Sequence, residues 1–261
     1  VYVDYFTRAK EYDAKKKKGI PVRYDIELET LAEIINKERF ITCHSYVQSE
    51  INMLMKVAEQ FGFKVNTFTH ILEGYKVADI MKKHGAGGST FSDWWAYKYE
   101  VNDAIPYNAA IMNSVGVTVA INSDDAEMSR RLNQEAAKAV KYGHVSEEEA
   151  WKFVTLNPAK LLHLDKKLGS IKVGKDADVV LWSDNPLSVY AHAEKSIIEG
   201  VIYFDYEKDK QMVANDSKKR NMLINMMLSA KSGGAKTRIP FKKEKVYYTC
   251  ESVEVYNALN N

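Results

Sequence analysis

The chain is short of cysteine, of charge of one sign and of long apolar runs, and each shortage narrows what it can be. Two cysteines, Cys43 and Cys250, are too few for a disulfide framework and do not stand at metal-site spacing. Its 37 basic residues are balanced by 35 acidic ones, a formal charge of +2, so no global field draws the chain toward nucleic acid or an anionic membrane. The lysine-rich runs Lys15–Lys18 and Lys242–Lys245 read as solvated surface. No apolar run approaches the ~18 residues of a membrane span, and no charged-then-apolar leader opens the chain. A soluble protein is expected, with its compartment left open. Internal repeats, low-complexity blocks and glycine-rich phosphate loops are also missing, and the last counts against a nucleotide-binding sheet.

What is present is an alternation. With 261 residues and a 46% hydrophobic fraction the chain can bury a large core. The stretch Val115 to Asp125, VGVTVAINSDD, is an apolar β-branched run that ends in Asn122, Ser123, Asp124 and Asp125, as a buried strand with polar groups at its carboxyl end does. Phe40 to Tyr46, FITCHSY, and Lys64 to His70, KVNTFTH, have the same form and deliver His44 and His70. A weaker strand runs from Gly87 to Phe91, before the aromatic loop SDWWAYKY at 92 to 99.

Helical spacing of apolar residues predicts helices over 2–18, Glu27 to Glu38, Ser49 to Phe61, Glu73 to His84, Ala104 to Val115 and Glu127 to Tyr142, several stopped by glycine. Strand and helix therefore follow one another in four β/α units, which implies a parallel sheet: half of an eight-unit barrel, or an open doubly wound sheet. After Gly143 the pattern changes. Ser146 and Glu149 form a capping box, and Asn157-Pro158 caps a further short helix. Leu168 to Trp182 reads as short strands around Gly169 and Gly174, Ser196 to Asp205 as a hairpin turning at Glu199-Gly200, and 207–231 as helix. An irregular tail begins at Ser232-Gly233-Gly234 with Pro240.

In α/β proteins chemistry gathers at the carboxyl ends of strands. Thr42 and His44 share one face of their strand and Cys43 takes the other. A lone histidine at a strand end is usually a hydrogen-bonded structural residue. Two of them and an aspartate at strand ends suit Zn²⁺ or a similar divalent ion. Asp125 could replace Asp124, although the strand end favours the first of the pair. His84 closes a helix and is read as structural, while His144, His163 and His192 fall in loops or the β appendage. Ser45, Ser123 and Cys43 lack a base-and-orienter set for nucleophilic catalysis. Trp94-Trp95 suits loop packing as well as a substrate wall.

The residues His44 in ITCHSY, His70 in THILEGYKVADI, Asp124 in INSDD and the string NPAKLLHLDKKLGSIKVGKDADVVLW with its DNPLSVY continuation together resemble the amidohydrolase superfamily, and within it the imidazolonepropionase-like branch. The similarity spans roughly residues 1 to 206. It implies a (β/α)8 TIM-like barrel beside a small β-sandwich, with one or two divalent metal ions, zinc first among them, at the barrel's carboxyl rim. It also implies that His44 and His70 are metal ligands after the fifth and sixth strands. Asp124 would be the eighth-strand aspartate that binds metal and carries a proton.

The activity so implied is hydrolysis of an amide, dipeptide or cyclic amide by a metal-activated water. The family's first-strand His-x-His is absent from this sequence. The chain, which opens on Val1, is therefore expected to be the carboxyl-terminal part of an enzyme: the second half of the barrel over 1–165, a β-sandwich portion over 166–206, and a helix with an irregular tail over 207–261. The expected partners are a small-molecule or peptide substrate and an amino-terminal portion of the same enzyme or a complementary chain, with no nucleic acid and no membrane span; a homo-oligomer is left open. Tyr46, Tyr75, Lys76 and the loop from Ser92 to Tyr99, Trp94 foremost in it, are candidates for substrate contact. The alternatives are a non-catalytic pseudoenzyme subunit of the same fold and, more weakly, a one-metal deaminase.

Overall fold

The computed structural model describes residues 1–95 and 97–238; Lys242–Lys245, Cys250 and the tail from Pro240, and Ala96 of the aromatic loop, lie outside the described residues. The chain divides into two units, Val1–Tyr206 and Glu207–Asn261.

In the first unit α1 (Tyr2–Lys17) and α2 (Ile26–Ile35) lead into β1 (Thr42–His44), α3 (Gln48–Phe61), β2 (Thr67–Thr69), α4 (Ala78–His84), β3 (Gly87–Thr90), α5 (Asn108–Val115), β4 (Val119–Ile121) and α6 (Leu132–Gly143). The strands β1 to β4 lie side by side in chain order and are all parallel. A doubly wound sheet reverses its order at a switch point. This sheet has no such reversal, and its helices follow each strand as consecutive units of a (β/α)8 barrel do. The open-sheet alternative falls away. Phe68, Val119 and Ile121 from the sheet pack with Met55, Met81 and Met112 from the helices in one buried cluster. The strand glycines make this contact close: a Cβ on Gly88 would stand 2.7 Å from the Ile71 side chain.

The elements are shorter than the apolar runs that encode them. The expected helix from Glu73 to His84 is broken into a 3₁₀ turn, Gly74–Lys76, and α4. Gly74 packs so tightly that a Cβ there would meet the Met112 sulfur at 2.5 Å, and Glu73 turns away to accept a hydrogen bond from the Gln48 amide. The helix expected from Ala104 begins only at Asn108, because Pro106 disfavours helical backbone in the residue before it. The helix expected from Glu127 starts as 3₁₀ at Met128–Arg131. Gly143 is its last helical residue rather than the left-handed cap beyond it, a place taken by His144 at φ 53. Gly143 is needed for packing instead, since a Cβ would lie 2.2 Å from that of Ala110.

Two short helices follow, α7 (Glu147–Lys152) and α8 (Leu156–Leu161). The Ser146 hydroxyl caps the Glu149 amide as expected, whereas Asn157 and Pro158 lie inside α8, whose N-cap is Thr155. The remaining strands, β5 (Val179–Trp182), β6 (Ala193–Ile198) and β7 (Val201–Asp205), form an antiparallel sheet in that order. The hairpin turns at Glu199-Gly200, both with positive φ. From Leu168 to Asp178 the expected short strands do not form. Gly169 and Gly174 turn the chain at φ 82 and 90, and Ile171 and Val173 stand exposed at 89% and 102%.

A last helix, α9 (Tyr206–Ser232), has no buried residue, and all of it but Tyr206 belongs to the second unit. Among the described residues no helix is long and apolar enough to cross a membrane.

Candidate metal centre

Four parallel strands bring four carboxyl ends to one edge of the sheet. There β1 ends on His44, β2 is followed by His70, β3 by Phe91 and, three residues beyond it, β4 by Asp124. The register pairs His44 with Thr69, so His70 stands one step past its neighbour's end. Its backbone leaves the strand at φ 62, a left-handed conformation that costs a side-chain-bearing residue energy and persists where the surroundings impose it.

The rings of His44 and His70 lie 4.2 Å apart between centroids, and Nδ1 of His70 is 3.5 Å from Oδ2 of Asp124. That nitrogen is buried and has no hydrogen-bond partner, a situation that costs about 1–3 kcal/mol. Burial pushes the His70 imidazole below its usual pKa; the Asp124 carboxylate opposes this, and His44 and Lys98 add to the lowering. A neutral imidazole is the form that binds metal. An orphaned imidazole nitrogen beside a carboxylate and a second imidazole fits a divalent ion of zinc's character. The three side chains are neighbours rather than a closed shell: among the described residues no group of three or more His, Cys, Asp or Glu side chains stands at metal-binding spacing.

Asp125 is otherwise engaged. Its Oδ1 accepts from the amides of Glu127 at 2.8 Å and Met128 at 2.9 Å. Cys43 faces away into the core cluster, and burial, with the Glu50 charge second, pushes its thiol up. Ser45 donates to Glu50 at 3.2 Å.

An aromatic wall surrounds the pair of histidines. Tyr46 stands edge-on to His44 at 5.0 Å and 6.0 Å from His70. Phe91 lies 4.9 Å from His70 and carries Trp94 stacked on it at 4.3 Å. The indole N–H of Trp94 donates to the Met128 sulfur. Tyr75 and Lys76 direct their polar ends elsewhere, to Asp103: the Tyr75 hydroxyl donates to its carbonyl at 3.0 Å and the Lys76 ammonium to its carboxylate.

Lys98 belongs to the 92–99 loop expected to contact substrate, whereas sequence reasoning passed over Phe91, visible as the end of an apolar run. It also passed over Asn108, for which no local signal exists. Buried Asn108 donates to the Ile71 carbonyl at 2.7 Å and to Thr90 Oγ1 at 2.9 Å and accepts from the Tyr75 amide at 2.8 Å, tying the loop after His70 to β3. The other histidines sit apart. His84 Nε2 accepts from the Val65 amide at 3.1 Å and its Nδ1 faces Glu59 at 3.0 Å, so a hydrogen-bond bridge rather than the helix end explains it. His163 stacks on Phe40 at 3.9 Å and bonds to Asn66, and His192 pairs with Ser183 in the β appendage.

The sequence model of the Amidohydrolase family matches residues 13–227. The chain is 28% identical over 186 residues to Amidohydrolase tasK of Hapsidospora irregularis, covering 69% of this chain and 19% of that protein. It is 28% identical over 168 residues to an imidazolonepropionase of Thermoplasma volcanium, covering 61% and 41%. Its fold is similar to that of a crystallised amidohydrolase from Thermotoga maritima MSB8, with TM-score 0.70 and 30% identity over 78% of this chain and 54% of that one. The chain thus spans about half or less of the length of these relatives.

Proposed function

Because this chain belongs to the amidohydrolase family, we propose that it forms part of a metal-dependent hydrolase of C–N bonds acting on an amide, a dipeptide or a cyclic amide. The observation that carries this reading is the buried, unpartnered Nδ1 of His70 against the Asp124 carboxylate. His44, His70 and Asp124 would hold a divalent ion, zinc being the first to try, as one ion or two. Bound there, the ion would polarise the scissile carbonyl and lower the pKa of a water.

The residues of this chain do the remaining work. Asp124, half exposed at the sheet edge, takes a proton from the attacking water and returns it to the leaving nitrogen, as a general base and then a general acid. His70, whose imidazole burial pushes below its usual pKa, would offer its lone pair. Phe91, Trp94 and Tyr46 exclude water from one side. The remaining ligands are assigned to an amino-terminal portion of the enzyme or a complementary chain, in keeping with the share of its relatives that this chain spans and with its lack of His-x-His.

The test is metal analysis of the purified protein, together with turnover of an amide, dipeptide and lactam panel by wild type and by His70→Ala. Bound metal and turnover that both fall in the variant support the proposal. Metal content and turnover that ignore the substitution overturn it. One observation favours a second reading, a subunit that binds ligand without turnover: the described residues gather no three-ligand group. Metal uptake with no hydrolysis anywhere in the panel would select it.

A further inference from the structure

The helix α9 has 27 residues and buries none of them. Along it Met212, Val213, Leu223, Ile224, Met226 and Met227 are 40–71% exposed. Large apolar side chains gathered in water mark a surface that another body covers. Their spacing says what kind of body. Val213, Asp216, Arg220, Leu223, Met227 and Ala230 follow one another at steps of three and four, the spacing of the seam along which two helices pair. Met212, Ile224 and Met226 flank that seam, while Gln211, Lys218 and Asn225 occupy the line opposite to it.

The seam is apolar except at its middle, where Asp216 and Arg220 stand one turn apart. Their i,i+4 spacing would let them meet, yet they form no ion pair with each other or with another of the described residues. In a parallel pair of such helices each would face its own copy, a like charge. In an antiparallel pair centred on position 218, Asp216 of one helix faces Arg220 of the other, and Val213 faces Leu223. One stripe is thus complementary to itself in charge and in apolar surface when it is reversed. We infer that α9 is a self-association surface, on which the α9 of a second copy of this chain packs antiparallel in a register fixed by Asp216 and Arg220. A charged pair within a helix seam selects register and orientation, because the shifted and the parallel arrangements leave it opposite a like charge or an apolar side chain. The inference stands independently of the hydrolase reading.

The test is sedimentation equilibrium of the whole chain over a range of concentrations, with circular dichroism as the fold control. Wild type, Asp216→Arg, Arg220→Asp and the double variant that carries both changes are compared. Wild type is expected to dimerise. Each single swap sets like charges opposite one another twice in the symmetric pair, and is expected to raise the dimer Kd about tenfold or more. The double variant restores opposite charges and is expected to recover most of the wild-type affinity. High salt should narrow the spread between the four proteins. A wild type that keeps the mass of a single chain at every concentration overturns the inference and leaves the face of α9 to a different protein. A dimer indifferent to the single swaps, or one that the double variant fails to restore, overturns it as well.

Discussion

Nδ1 of His70 lies 3.5 Å from Oδ2 of Asp124, buried and without a hydrogen bond. The two residues are 54 positions apart in the chain, from 124 less 70, and meet because β2 and β4 are parallel members of one sheet with β3 between them. A protein that wanted only a hydrogen bond here would close the gap. A distance that leaves the buried imidazole nitrogen without a partner is what a shared ligand would resolve.

Replacing Asp124 by Asn keeps the size of the side chain and removes its basicity. Turnover by the assembled enzyme is expected to fall roughly 10²–10⁴-fold, the usual worth of a positioned general acid-base, with an unchanged circular dichroism spectrum. Near-normal kcat would sink the assignment. His192→Ala, in the β appendage, should leave kcat alone.

Zinc should stabilise the protein through His70. With free Zn²⁺ at a hundred times its Kd, linkage predicts about 2.7 kcal/mol, seen as a rise in Tm that a chelator reverses. His70→Ala is expected to abolish most of that rise, and an equal rise in both proteins would rule out His70 as a ligand.

Asn108 joins three backbone or hydroxyl groups, two of those bonds being fully buried. Asn108→Ala is expected to cost roughly 2–4 kcal/mol in urea unfolding, because donors and acceptors are stranded in the core. A loss under half a kilocalorie would mean that the loop after His70 is anchored by something else.

Glu135 is almost wholly buried and is held by the Lys138 ammonium at 2.8 Å and by the Ser92 hydroxyl. Burial pulls the Lys138 pKa down, but the Asp93 and Glu135 carboxylates more than offset it, so its net shift is upward. A raised lysine pKa contributes stability that is complete below the ordinary lysine value and is lost as pH climbs through the folded one. Lys138→Met, which leaves the buried carboxylate unpaired, is therefore expected to cost about 3 kcal/mol at neutral pH. The gap to wild type should narrow only above about pH 10.4, and urea titrations at pH 7 and in strong alkali would check both parts.

The element types along the first 165 residues could be read from periodicity, since Ile51, Met55 and Ala58 on one side of α3, or the run at Val117 to Ile121, have no other stable use. Boundaries were less legible. The break at Gly74 depends on Met112, and the continuation of α6 through Gly143 depends on Ala110, contacts between residues more than 30 positions apart. The stretch after Leu168 looked like strand because Ile171 and Val173 are β-branched, yet strands need partners, and those residues have none among the described ones.

The sequence by itself determined the order of strands and helices, the carboxyl-end positions of His44, His70 and Asp124, and the motifs that carry the family resemblance, because each is a local property of spacing and residue type. Only the tertiary structure decided that the sheet runs in unbroken parallel order, that His70 faces Asp124 while Asp125 is spent on backbone amides, and that Tyr75 and Lys76 turn to Asp103 while Lys98 comes to Tyr46. Those outcomes depend on which distant side chains compete for each hydrogen bond and each charge, and that competition exists only once the chain is folded.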